Sequence, residues 1–120
     1  MIIEKQVCNE NYAERLKELG VVQKSLFYHT HSKFGVLAKQ SIDFTGNPTS
    51  AFSCAELVQM NGNVYGIYFS NRENKFYSGS AVDNDVFYYE TFSDALAAKL
   101  INAIKKEWVT IEEVNARLVA

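Results

Sequence analysis

Proline is almost missing from this chain of 120 residues, and the single one, Pro48, sits in Thr45-Gly46-Asn47-Pro48-Thr49-Ser50. That stretch is too short for an interdomain linker and reads as a surface loop, so residues 1–120 are treated as one domain. Cysteine is scarce too. Cys8 and Cys54 lie in separate segments and make neither a CxxC pair nor a zinc-ligand spacing. They read as reduced, partly buried thiols, with a disulfide or a reactive thiol as the alternatives. No window approaches the ~18–20 uninterrupted apolar residues of a membrane span, and Met1-Ile2-Ile3-Glu4-Lys5-Gln6 lacks the apolar core of a signal peptide. The expectation is a cytoplasmic protein with no membrane partner. Charge of one sign is lacking as well: 12 Lys+Arg face 14 Asp+Glu, for a net charge of −2. A nucleic-acid binder normally carries a basic surplus, so that class is disfavoured. No Gly-x-Gly-x-x-Gly, phosphate loop or Gly-x-Ser-x-Gly is present, and no cofactor is implied.

What is there is apolar and aromatic. Hydrophobic residues make up 48% and aromatic residues 13%, too much for a disordered chain. At this size folding hides roughly two-thirds of the surface, enough for a core without a metal or disulfide staple. Helix signals come as caps. Asn11 with Glu14 three residues later opens a helix over about 10–19, which Gly20 stops. Ser53 with Glu56 opens a second, ending at Asn61-Gly62. Thr91 with Asp94 opens the strongest, where Leu96, Leu100, Ala103 and Ile104 line one stripe and Lys105-Lys106 suit the negative pole. Thr110 with Glu113 opens a last short helix after a break at Trp108-Val109.

Between these helices lie segments of β type. Leu26–His31 and Gly35–Gln40 flank a hairpin-length connection, and 63–69, 75–79 and 86–90 are joined by polar turns. Connections this short require antiparallel pairing. The predicted fold is α+β: an antiparallel sheet of about five strands, hairpin plus three-strand meander, with three to four helices packed mainly on one face.

Lys17-Glu18-Leu19-Gly20 followed by Gln23, Ser25 and Phe27-Tyr28 resembles the opening of small uncharacterised proteins from phages and mobile elements of gut bacteria. Their "KELG…Q.S.FYW"-like run has an aromatic where His29 stands here. Ser50-Ala51-Phe52-Ser53-Cys54-Ala55-Glu56-Leu57 is similar to their "SAPTxAEL" segment, with Phe52 in place of the usual proline. Ser93–Leu100 echoes their "ADALAxxL" helix. The resemblance covers about a third of the chain; it implies a phage or mobile-element setting and gives no residue a catalytic role.

Three constellations invite chemistry. His29 and His31, two apart on one expected strand, point to one face, where they could hold a metal or line a ligand pocket. No third ligand is anchored to them by spacing, so no metal site is assigned and a polar sheet face is favoured. Asp83-Asn84-Asp85 lacks the glycine and glutamate of a calcium loop and reads as a turn. Cys54, in the first turn of a helix, would be a nucleophile only with a histidine from another segment; a small packing residue is the plainer reading. The aromatic surplus says more. Tyr65, Tyr68, Tyr77, Tyr88 and Tyr89 crowd the meander together with Phe69, Phe76 and Phe87. Helices on one face would leave rings on the other, either as cross-strand pairs that stabilise the sheet or as a surface for a protein partner or self-association. The leading expectation is a small accessory protein, not an enzyme, that binds protein through that face. The alternative is a small-ligand domain or enzyme with a pocket near His29 and His31.

Overall fold

The computed structural model describes residues 6–29, 36–37, 49–62, 66–79 and 86–119. Their elements run α1 (Glu10–Glu18), β1 (Tyr28–His29), β2 (Val36–Leu37), β3 (Thr49–Ser50), α2 (Cys54–Asn61), β4 (Ile67–Ser70), β5 (Lys75–Gly79), β6 (Val86–Tyr89), α3 (Phe92–Lys105) and α4 (Ile111–Val119). The fold is α+β, and both the hairpin and the meander form.

They do not merge into one five-stranded layer. Strand order is β2-β1-β3 in one sheet and β4-β5-β6 in the other, all antiparallel. The reason lies in Thr49 and Ser50, which sequence reading places in a loop. They pair with His29 and Tyr28, occupy the second edge of β1, and are fully buried. With both edges taken, β1 has no free backbone groups to offer the meander.

Each helix begins where a side chain can satisfy its first amides. Ser53 and Glu56 make a reciprocal capping box on α2, and Thr91 caps α3 through the Asp94 amide. Thr110 accepts from the Glu113 amide at 3.1 Å and donates to its carboxylate at 3.2 Å. For α1 the cap is Asn9, two residues before the expected Asn11. Asn9 wins because its backbone is held from outside: its N–H donates to Asp94 Oδ1 at 2.8 Å and its side chain accepts from the Tyr12 amide at 3.1 Å. Gly20, at φ 103°, ends α1 as its position predicts.

The core sits among the helices. Leu16 of α1, Leu57 and Met60 of α2, Leu96 and Leu100 of α3, Val114 of α4 and the connecting Phe52 are wholly buried together. Residues 6–8 lie antiparallel to 52–54, with Cys8 N–H on the Phe52 carbonyl and Cys54 N–H on the Gln6 carbonyl. The last helix is tied by polar bonds from its middle and its last turn. Asn115 accepts from the Val22 amide at 2.8 Å and donates to the Gly20 carbonyl at 3.2 Å. Arg117 donates to the Met60 and Asn61 carbonyls at the end of α2.

Candidate partner-binding face

The meander projects its side chains alternately, and register decides which rings meet. Tyr68 pairs directly with Tyr77, and Tyr77 with Tyr88. All three therefore share one face, with centroids 5.6 Å apart across the first pair and 6.0 Å across the second. The outer rings, Tyr68 and Tyr88, keep 51% and 50% of their surface in solvent. Lys75 and Glu90 flank the ladder on the same face, joined at 3.2 Å by an ion pair too exposed to stabilise much.

The opposite face carries Ile67, Phe69, Phe76, Ser78, Phe87 and Tyr89. Helices cover it: Phe76 lies 5.4 Å from Phe92 at the start of α3, Tyr89 lies 6.4 Å from Tyr12 of α1, and Ile67 packs on the core. The cover stops short of the sheet's margin. Phe69 and Phe87 remain 47% and 58% exposed. The meander therefore presents rings on both sides, and its middle strand is only half-buried.

Of the residues singled out from sequence, Tyr68, Tyr77 and Tyr88 come together on the helix-free face. Tyr89 does not join them, because it alternates to the helix side. Tyr65 and His31 lie outside the described residues, as do Asp83-Asn84-Asp85. His29 is only 6% exposed, and its Nε2 stands 3.0 Å from the Cys8 carbonyl. A carbonyl can only accept, so Nε2 carries the proton and the ring is committed to the fold. The expected polar sheet face around it is absent because β1 is the middle strand of its sheet, buried on both sides.

The cysteines are poor nucleophiles. Burial pushes the Cys8 thiol up to about 12. Cys54 stands at the first position of α2, yet its thiol also moves up, through burial first, against an opposing hydrogen bond with Ser93. The helix terminus does not overcome desolvation. Among the described residues no group of three or more His, Cys, Asp or Glu is placed to hold a metal.

Sequence reasoning missed one surface feature. A shallow depression of about 210 Å³ is lined by Lys24, Ser25, Leu26, Glu56, Gln59 and Leu118. Its carboxylate is already engaged: Glu56 accepts from Ser25 Oγ at 2.8 Å, Ser53 N at 3.0 Å and Leu26 N at 3.3 Å. The signal was the capping box itself, whose glutamate holds the 25–26 segment as well as its own helix. No histidine or cysteine lines the depression, and the carboxylate that Ser25 meets there is spent on the amides of Ser53 and Leu26. No helix among the described residues is long and apolar enough to cross a membrane.

Comparison with known proteins adds no further constraint: no protein-family model matches the chain, and neither a curated protein nor a solved structure shows significant similarity.

Proposed function

We propose that this chain is a small cytoplasmic accessory protein that binds another protein through the open face of the β4-β5-β6 sheet. The observation that carries the reading is the ladder Tyr68–Tyr77–Tyr88, in direct register, free of helices and half exposed at both outer rings. Tyrosine gives a large rigid contact area with a polar tip at little cost in side-chain entropy, which suits it to contact surfaces. The KELG-type resemblance supports placing the protein among phage or mobile-element products of gut bacteria.

The competing reading, a ligand pocket or catalytic centre near the histidines, has less support. His29 is buried against a backbone carbonyl, and the Glu56 carboxylate in the depression is already held by Ser25, Ser53 and Leu26. The test is Tyr68→Ala and Tyr88→Ala in the full chain, with thermal unfolding measured alongside capture of binding proteins. Association should fall at least tenfold while each variant remains folded. Capture that is unchanged in both folded variants would remove this face from the function.

A further inference from the structure

We infer that a second copy of this chain pairs with the outer edge of β4, antiparallel about a two-fold axis at Tyr68, so that two meanders join into one six-stranded sheet. The inference concerns the edge of the sheet and goes beyond the reading of its open face. β4 has β5 on one side, and among the described residues nothing pairs with its other side. A row of unpaired backbone N–H and C=O groups is completed by another strand, and the same strand of a second copy can supply it. Sheets usually guard such an edge with a charge, a proline or a bulge. Ile67-Tyr68-Phe69-Ser70 has neither charge nor proline, and its register with β5 is unbroken. The helix α3 packs over β5 and β6 and leaves β4 outlying. Tyr68 and Phe69 stand half exposed on opposite faces of this one strand. A strand laid alongside covers both rings at once; a ligand on either face would cover one.

Charge decides between the two edges of the meander. β6 also carries exposed rings, Phe87 and Tyr88, but in sequence it is preceded by Asp85 and followed by Glu90. Antiparallel self-pairing sets the start of one strand beside the end of the other, so β6 on β6 would oppose carboxylates at both ends. β4 runs between Gly66 and Asn71, and its self-pairing opposes no like charges there.

Side-chain parity then selects the register. Directly opposite residues of an antiparallel pair share a face, so the two-fold axis must lie at a residue position and not between two. With the axis at Tyr68, Tyr68 meets its own copy, and Ile67 meets the second copy's Phe69 on both sides of the axis. Ile67 packs on the core, so each exposed Phe69 gains an anchored apolar neighbour. With the axis at Phe69, Tyr68 would face Ser70 and Ile67 would face Asn71; with the axis at Ile67, Tyr68 would face Gly66. The Tyr68 register alone pairs every ring of the strand with an apolar or aromatic side chain. On the open face the two ladders then run on through Tyr68 as one row of six rings.

The experiment measures the full chain by sedimentation at about 5 to 500 µM, the range suited to a small, weak interface. Mass should rise with concentration from 13.6 kDa toward twice that value. Phe69→Lys, which charges the edge on the side away from the ladder, should weaken association at least tenfold, with thermal unfolding confirming the fold. Cross-linking reads the register independently. Opposed Cα atoms about 4.5–5.5 Å apart suit a disulfide, so Tyr68→Cys should link as a dimer on oxidation. Tyr88→Cys, equally exposed on the other edge, should link no more than wild type. A monomer at every concentration, association unchanged in folded Phe69→Lys, or linking through Tyr88→Cys in place of Tyr68→Cys each overturns the inference. The open face stands or falls separately, by capture with Tyr88→Ala, which leaves the β4 edge untouched.

Discussion

At the scale of single residues, the Asp94 carboxylate makes a long-range tie. It sits at the third position of α3 and receives the Asn9 amide at 2.8 Å and the Asn9 side chain at 3.4 Å, joining the starts of two helices 85 residues apart in sequence. Burial raises its carboxyl above the ordinary value, outweighing the bonds from Asn9 and Thr91 that pull it down. A raised folded-state value means that the native protein holds the proton more tightly than the unfolded chain. The resulting stability is complete below the ordinary aspartate range and is lost as pH climbs through the raised value. Melting curves of wild type and Asp94→Asn from pH 3 to 7 should therefore show the wild type gaining most, relative to the variant, at the acid end. Asp94→Ala, which leaves the Asn9 amide without its acceptor, should cost about 1 kcal/mol at neutral pH. The thiols give a second prediction at this scale. With Cys8 pushed up to about 12 and Cys54 also raised, a thiol reagent at pH 8 should label native Cys54 more slowly than a free thiol. Cys8 should react only on unfolding, when both label at once.

At the scale of elements, α1 and α3 end in the same device with different residues. After α1, Gly20 donates to the Lys17 carbonyl and Val21 to that of Leu16; after α3, Glu107 donates to Ile104 and Trp108 to Ala103. Both are Schellman motifs, which place one residue in the left-handed region. Gly20 accepts that at φ 103°, but Glu107 stands there at φ 59° with a side chain. Glu107→Gly should raise stability by about 1 kcal/mol, seen as an increase of several degrees in Tm. Gly62 is the converse: at φ 79°, an added Cβ would stand 3.1 Å from the Arg117 Nη1 that holds the α2 carbonyls. Gly62→Ala should cost about 1–2 kcal/mol. Helix ends were the most legible part of the sequence, because a capping serine or threonine and a stopping glycine act over three or four residues. What lay beyond reach was set at long range. Asn9 displaced Asn11 as the cap because of Asp94, and Thr49-Ser50 became a strand because β1 had an open edge. Two polar residues beside a proline carry no periodicity that would announce a strand.

At the scale of the molecule, the alternation of the meander was enough to expect an open aromatic face, but not to say which rings share it. Register decides that, and register follows from turn lengths such as 71–74, which join Ser70 to Lys75. One residue of slip would have put Tyr89 in the ladder and Tyr88 under the helices. His29 was unreadable for a similar reason, since a strand with one neighbour and a strand with two look alike in sequence. Because Lys75 and Glu90 cancel on this face, partner affinity should change less than threefold between 50 and 500 mM salt, as measured by calorimetry. A steep loss with salt would point to a charged surface elsewhere. Tyr68→Ala and Tyr88→Ala should each lower Tm by only about 4 °C, the cost of one cross-strand ring pair.

The clasps between the two ends of the chain bear on how it is made. Asn9 waits for Asp94, and the 20–22 segment waits for Asn115. A polypeptide emerging from the ribosome cannot close these clasps before Asp94 and Asn115 have been synthesised. The first helix can already meet the 49–54 segment, through Thr49 on Glu14 and Cys8 on Phe52, but its cap is fixed from outside only once α3 has emerged.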